Sequence, residues 1–250
     1  MKKILAVLLA VFTLFALVGC QKKEPVKPQV NPSAKSEGTM TYAEYVAAEL
    51  NSRVVIEGFV QATQSYWNGA SLYIVDGEGG YFVYNGDNDT NISQQEWERF
   101  GLSSSASAGW TGIVANPLKV HVEGFKSEWA GEVEITDAVV TIVEPEEKYV
   151  APAVEITNVA EQYAKNINNF VKVINCEVVV PAEPSDGKDL YFDVKCSGEV
   201  YTFCIESYLN YADSQVYNDV LGLKAGDIVS FEGFAYMYEK PQLHITKVVK

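Results

Sequence analysis

The chain has 250 residues, with 19 basic against 33 acidic side chains and a formal net charge of −14. Such acidity repels polyanions at long range, which counts against generic nucleic-acid binding. The length allows one large or two small domains.

The N-terminus opens with Lys2 and Lys3, continues as an apolar or hydroxyl-bearing run over 4–18, and breaks at Gly19-Cys20. A short basic start, an apolar stretch and a small residue before the break are the parts of a secretory signal. The run falls short of the roughly 20 apolar residues that a spanning helix needs. Leu17-Val18-Gly19-Cys20 resembles the lipobox of bacterial lipoproteins. The resemblance implies removal of 1–19, diacylation of the Cys20 thiol and often acylation of the new amine. Two or three acyl chains, at ~0.8 kcal/mol per buried methylene, anchor stably where one would not. It also implies an extracytoplasmic location. Gln21 lacks the Asp that marks inner-membrane retention in that family, so in a host with two membranes the outer one is expected. Without Lys2 and Lys3, 17 basic residues face 33 acidic ones, a net of −16. Residues 20–38, with Pro25, Pro28 and Pro32 among Lys, Glu, Ser and Asn, have little to bury and read as a disordered tether.

Beyond the tether the sequence repeats itself. Glu57-Gly58-Phe59, Glu123-Gly124-Phe125 and Glu232-Gly233-Phe234 are identical tripeptides, each in an alternating apolar run that reads as a strand. A Gly inside such a strand suggests a bulge or sharp bend. Residues 134–140 match 244–250 at an offset of 110, and Leu72-Tyr73-Ile74 matches Leu190-Tyr191-Phe192 at 118. Thr41-x-x-Glu44 and Asn158-x-x-Glu161 both look like capping boxes opening a short helix. The order is preserved, so the chain reads as two copies of one unit, 41–144 and 154–250, joined by the Glu/Pro-rich segment 144–148.

The second copy is the clearer. Residues 169–180 form its first strand, and 189–196 with 199–206 make a hairpin around Ser197-Gly198. A helix follows over 215–221, then strands from Ile228 and over 242–249. Five strands with a helical connection between the third and fourth is the pattern of the OB-fold, a Greek-key barrel. The run Leu223-x-x-Gly226-Asp227-x-Val229 resembles the entry to the fourth strand in many of its members. The expected fold is therefore mainly β: two tandem OB-fold-like five-stranded barrels, each preceded by a short helix. An SH3-like barrel or small β-sandwich is the alternative.

The resemblance implies a binding face on the second and third strands, flanked by the loops after the first and fourth. In the first copy those loops carry Tyr66-Trp67 and Glu128-Trp129, with Tyr73, Tyr81 and Tyr84 nearby. Trp67 and Trp129 sit among polar neighbours. Either they form one exposed platform for stacking a sugar, base or side chain, or they cap the barrel ends. The candidate ligand-binding residues are Trp67, Trp129, Tyr66, Tyr73 and Tyr84. Tyr236, Met237 and Tyr238 occupy the matching loop of the second copy, but 181–188 is aromatic-free, which favours the first copy for binding.

The first copy carries an insertion over 85–117. Asp87-Asn88-Asp89-Thr90-Asn91 resembles the start of a calcium loop, yet Ile92 stands where that loop needs Gly. Ser93-x-x-Glu96 instead makes a capping box for a helix over 94–100. His121 and His244 read as half-exposed strand residues. Cys176, Cys196 and Cys204 allow one disulfide. Strand parity turns Cys176 and Cys196 both inward and makes them the preferred pair, with three buried free thiols as the alternative.

No catalytic constellation, metal set or cofactor motif stands out, so a non-enzymatic membrane-anchored binding module is expected. Its partners would be membrane lipid at Cys20 and a glycan, peptide or protein ligand. Extracellular nucleic-acid binding is the rival, and it requires Arg53, Lys119 and Lys126 to line the second and third strand face. A structural spacer in an envelope complex is the third reading.

Overall fold

The computed structural model describes residues 30–66, 69–85, 91–102, 111–185, 188–210 and 214–250, without the side chains of 65, 66 and 69. Residues 1–29 with Cys20, Trp67 and residues 87–90 lie outside the described residues, as does the side chain of Tyr66.

Two closed five-stranded barrels follow one another, as the repeat implies. Helix α1 (Tyr42–Ala47) precedes the first, opened by the Thr41/Glu44 capping box. Barrel 1 comprises β1 (Arg53–Tyr66), β2 (Gly69–Val75), β3 (Gly80–Tyr84), helix α2 (Gln94–Arg99), the edge strand β4 (Gly112–Ile113), β5 (Lys119–Trp129) and β6 (Glu132–Ile142). It closes because β1 pairs with both β2 and β5, while β3 meets β6 in parallel at Val83 and Ile135. Barrel 2 is led by β7 (Val154–Ile156), α3 (Val159–Gln162) and a 3₁₀ turn (Tyr163–Asn166). Its strands are β8 (Phe170–Val180), β9 (Leu190–Cys196), β10 (Glu199–Ile205), β11 (Ile228–Tyr238) and β12 (Lys240–Val249), with helix α4 (Gln215–Leu221) between β10 and β11. The same closure recurs: β8 pairs β9 and β11, and β10 meets β12 in parallel.

The local signals account for most of these elements. Ser197 and Gly198 both take positive φ, the geometry of a two-residue hairpin loop. Ala130 and Gly131 do the same between β5 and β6. At Gly124 and Gly233 the strand register slips, and a Cβ there would lie 2.6 Å from Ile135 Cγ2 and 2.2 Å from the His244 carbonyl oxygen, respectively. Glycine is needed at these two bends for close approach. The Ser93/Glu96 capping box is formed, and α2 buries Trp97 in the core of barrel 1. Asn91, last of the calcium-loop-like run, pairs through its side-chain amide with both backbone groups of Val140.

Cys176 and Cys196 are bonded and Cys204 is free and buried. Closing a loop across a sequence separation of 20 contributes about 3 kcal/mol.

Three expectations are corrected. Asn158 makes no side-chain cap. Gln162 Oε1 takes the backbone N–H groups of Thr157 and Asn158 instead, at 2.8 Å each. His244 is 5% exposed rather than half-exposed, because barrel 1 covers it. Finally, the tether does not run free to Gly38. Lys35 Nζ donates to the Glu57 carbonyl and, at 2.5 Å, to Asp76 Oδ2, while Lys119 Nζ donates to the Ala34 carbonyl at 2.7 Å. Residues 30–38 are thereby bound to barrel 1 by charge and backbone bonds, which composition does not reveal.

The barrels share a small core of their own. Ala62, Tyr73 and Phe82 of barrel 1 pack on Leu209 and Phe234 of barrel 2. Two hydrogen bonds flank it: Glu239 N–H donates to the Ala130 carbonyl at 2.6 Å, and Met237 N–H to the side-chain Oε2 of Glu132 at 2.7 Å. Glu132 is fully buried, and burial pushes its carboxyl well above the usual range. Gly80 lies where a Cβ would fall 2.2 Å from the Asn168 carbonyl, so the approach of barrel 2 depends on its bare backbone.

Candidate functional site

Where the outward faces of the two barrels diverge from their shared core, they leave a groove of about 700 Å³. Barrel 1 supplies Gln64, Phe82, Tyr84, Trp129 and Glu134, and barrel 2 supplies the larger share, including Asp189, Glu206, Tyr236, Tyr238 and His244. The strand residues among them project outward because alternation sends their neighbours into a barrel interior, while Asp189 and Glu206 flank the ends of β9 and β10. The second copy therefore contributes more to the site than its aromatic-free loop suggested.

The rim joins the hairpin tips. Trp129, at the end of β5, is 54% exposed, and its ring meets Tyr238 of β11 at 5.2 Å between centroids. Deeper in, Tyr236 stacks on His244 at 4.1 Å and lies edge-on to Phe82 at 5.7 Å. The floor is Tyr73, whose hydroxyl lies 2.7 Å from His244 Nδ1, with Gln64 Nε2 at 3.3 Å from the same atom. Gln64 Nε2 can only donate, and with Nδ1 as its acceptor a neutral ring carries its proton on Nε2. Burial agrees, pushing His244 down to about 3 and keeping the ring neutral.

The carboxyl groups are arranged differently. Asp189 is held by Ser207, whose N–H and hydroxyl both donate to Oδ1, and by the Tyr191 hydroxyl on Oδ2 at 3.0 Å. Glu206 has a buried Oε2 without a hydrogen-bond partner among the described residues. Burial, and then the charge of Asp189, raises Glu206 to about 8, and burial raises Glu134 to about 7. Both are raised, so the native state binds more protons than the unfolded chain from about pH 4.5 up to their folded values. Stability contributed by the neutral forms is complete at the acid end of that window and is lost as pH rises through 7 to 8. The expected result is a urea midpoint higher at pH 5 than at pH 8.5, by a free energy on the order of 4 kcal/mol, most of it from the more deeply buried Glu206. Glu206→Gln should flatten the difference, and a midpoint that rises with pH over this window would contradict the assignment.

Of the five residues singled out by sequence, Trp129 and Tyr84 reach the groove, and Tyr73 lies beneath it. Tyr73 is not an exposed contact: it is 0% exposed because Phe234 of barrel 2 stacks on it at 4.1 Å. Trp67 and the Tyr66 side chain are outside the described residues. Sequence reasoning missed Asp189, Glu206 and His244. In an acidic chain a carboxylate carries no signal until geometry isolates it, although His244 aligned with Glu134 in the repeat does mark one position for two groove residues.

The three cations that would have favoured nucleic acid are elsewhere and engaged. Arg53 pairs with Glu123, Lys119 with Glu57 at 3.1 Å, and Lys126 Nζ donates to the Tyr45, Val46 and Ala48 carbonyls at the end of α1. None lines the groove.

No family model matches the chain, and no curated protein matches it. Among solved structures it is similar to the HINa domain of Ifi202 in complex with 20-bp double-stranded DNA, at 12% identity and TM-score 0.35, covering 80% of this chain and 97% of that one. A murine DNA-binding protein bound to double-stranded DNA is similar at 13% identity and TM-score 0.33, covering 79% and 95%. The HINb domain of p204 gives 13% identity and TM-score 0.30, covering 78% and 94%. These scores are too low to carry a residue or an activity across.

Proposed function

We propose that this chain is a non-enzymatic binding lipoprotein, held at an extracytoplasmic membrane surface by lipid on Cys20, that takes its ligand into the groove between the barrels. The observation that carries the reading is the aromatic rim: Trp129, more than half exposed, meets Tyr238 across the barrel boundary beside a groove of about 700 Å³. A large aromatic left in water at the mouth of a concave, mostly apolar site is the arrangement that small ligands use. The nucleic-acid reading has the chain's acidity and the engagement of Arg53, Lys119 and Lys126 against it.

Tryptophan fluorescence of the mature chain against a peptide, glycan and oligonucleotide panel tests the proposal. One class should shift the emission saturably, and Trp129→Ala should weaken that binding by about tenfold, the worth of one aromatic stacking contact. Silence across the panel would favour a spacer role.

A further inference from the structure

We infer that the groove selects organic cations, ammonium or guanidinium groups carried on a peptide or other apolar body. The inference rests on the groove being the ligand site, and adds which chemistry it accepts. Three carboxyl groups, Glu134, Asp189 and Glu206, converge on it from both barrels. Among the described lining residues there is no Lys or Arg, and His244, the one basic side chain, is committed at Nδ1 as an acceptor. Burial keeps Glu206 and Glu134 protonated up to about pH 8 and 7, so the wall becomes fully negative above that range or as a cation enters, and the low-dielectric aromatic faces then focus the potential into the cleft.

The two kinds of wall act together. Tyr236 and Tyr238 present ring surface beside the carboxyl groups, and Trp129 closes the rim. A cation against such rings gains from their quadrupole, most when water is excluded. Glu206 supplies the specific demand: its Oε2 is buried and lacks a partner, and Asp189 already fills its own oxygens with Ser207 and Tyr191. An ammonium or a guanidinium N–H can donate to that one open oxygen, the rest of the Glu206 carboxyl being bonded to the backbone at Leu209 and Tyr208. A neutral sugar could stack on the rim and donate hydroxyls, but it would leave the carboxyl charge uncompensated once Glu134 and Glu206 ionise above about pH 7 to 8. A nucleic acid would add phosphate charge to an acidic cleft. The amount of space, about 700 Å³, suits several residues of an extended basic peptide better than a bare ion.

The test compares triarginine with tricitrulline, both N-acetylated and C-amidated so that only the guanidinium charges differ, by calorimetry on the intact mature chain at about pH 8.5, above the folded values of both glutamates. Triarginine should bind at least tenfold more tightly, and Glu206→Gln and Glu134→Gln should each remove about tenfold of that affinity. Both are near-isosteric changes, and near-ultraviolet circular dichroism checks that the fold is kept. Because the whole chain is acidic, Glu147→Gln/Glu155→Gln, on exposed positions away from the groove, serves as the control and should leave affinity unchanged. An equal loss in that control would overturn the inference by showing diffuse attraction. So would equal binding of the two peptides. Binding of maltoheptaose that Glu206→Gln leaves intact and Trp129→Ala abolishes would overturn the cation preference while keeping the groove as the site. Failure of the peptides, maltoheptaose and an oligothymidylate alike would overturn both.

Discussion

Replacing Tyr73 with Ala is expected to cost about 3–5 kcal/mol of stability, the range for deleting a fully buried large ring. Tyr73 stacks on Phe234 at 4.1 Å and lies against Phe82 at 4.8 Å, so its removal empties the centre of the contact between the barrels. The polar end adds to the loss. Without the phenol, His244 Nδ1 keeps only the longer bond from Gln64. Tyr73→Phe should cost less, about 1–2 kcal/mol, since only the hydroxyl's bonds to His244 and Gln64 go. The damage is confined to the boundary, so urea unfolding followed at two probes should lose its single transition in Tyr73→Ala before either barrel melts. A variant within 1 kcal/mol of the parent, unfolding in one step, would show that the barrels hold together by other means.

Asp76→Ala is the second large effect, again about 3–5 kcal/mol, because it strands a buried cation. The Asp76 side chain is fully buried and accepts from Lys35 Nζ at 2.5 Å, the Tyr81 hydroxyl at 2.7 Å, and the backbone N–H groups of Glu78 and Gly79 at 2.6 and 2.8 Å. Four donors lose their acceptor at once, one of them an ammonium that is only 9% exposed. Lys35→Met should be milder, since the carboxylate keeps three donors. Limited proteolysis separates this change from a general loss of stability. Cleavage within 30–38 should accelerate in both variants, while the barrels of Lys35→Met stay intact. Equal resistance of that segment in the parent and in Asp76→Ala would show that this pair does not hold it down.

Much of the fold was legible in the sequence because its signals are local. Alternation, the Ser93/Glu96 and Thr41/Glu44 boxes, the Ser197-Gly198 loop and the inward parity of Cys176 and Cys196 each depend on a few adjacent residues. The contact between the barrels was not legible, and the reason is physical. A residue such as Tyr73 that points out of a strand looks the same whether water or another barrel covers it. Hence Tyr73 read as part of an exposed binding face and proved to be the keystone beneath one. Trp129 was legible because it stands at a hairpin tip beside Glu128, Ala130 and Gly131, where no single-barrel core reaches. The docking of 30–38 escaped notice because Lys35 and a few carbonyls bind it, and hydrophobic pattern has nothing to say about those.

The two tyrosines that the repeat aligns, Tyr73 and Tyr191, have opposite fates: the first is sealed and the second is 52% exposed. The aligned phenylalanines divide the same way, with Phe234 buried at the boundary and Phe125 45% exposed. Barrel 1 thus presents the socket and barrel 2 the plug, and each has kept the unused counterpart in solvent. A duplicated unit whose halves meet through unlike surfaces has given up interchangeability. Exchanging the order of the two copies in the gene would place Tyr191 opposite Phe125, and whether that hybrid joint still assembles would measure how far the halves have specialised since they were one.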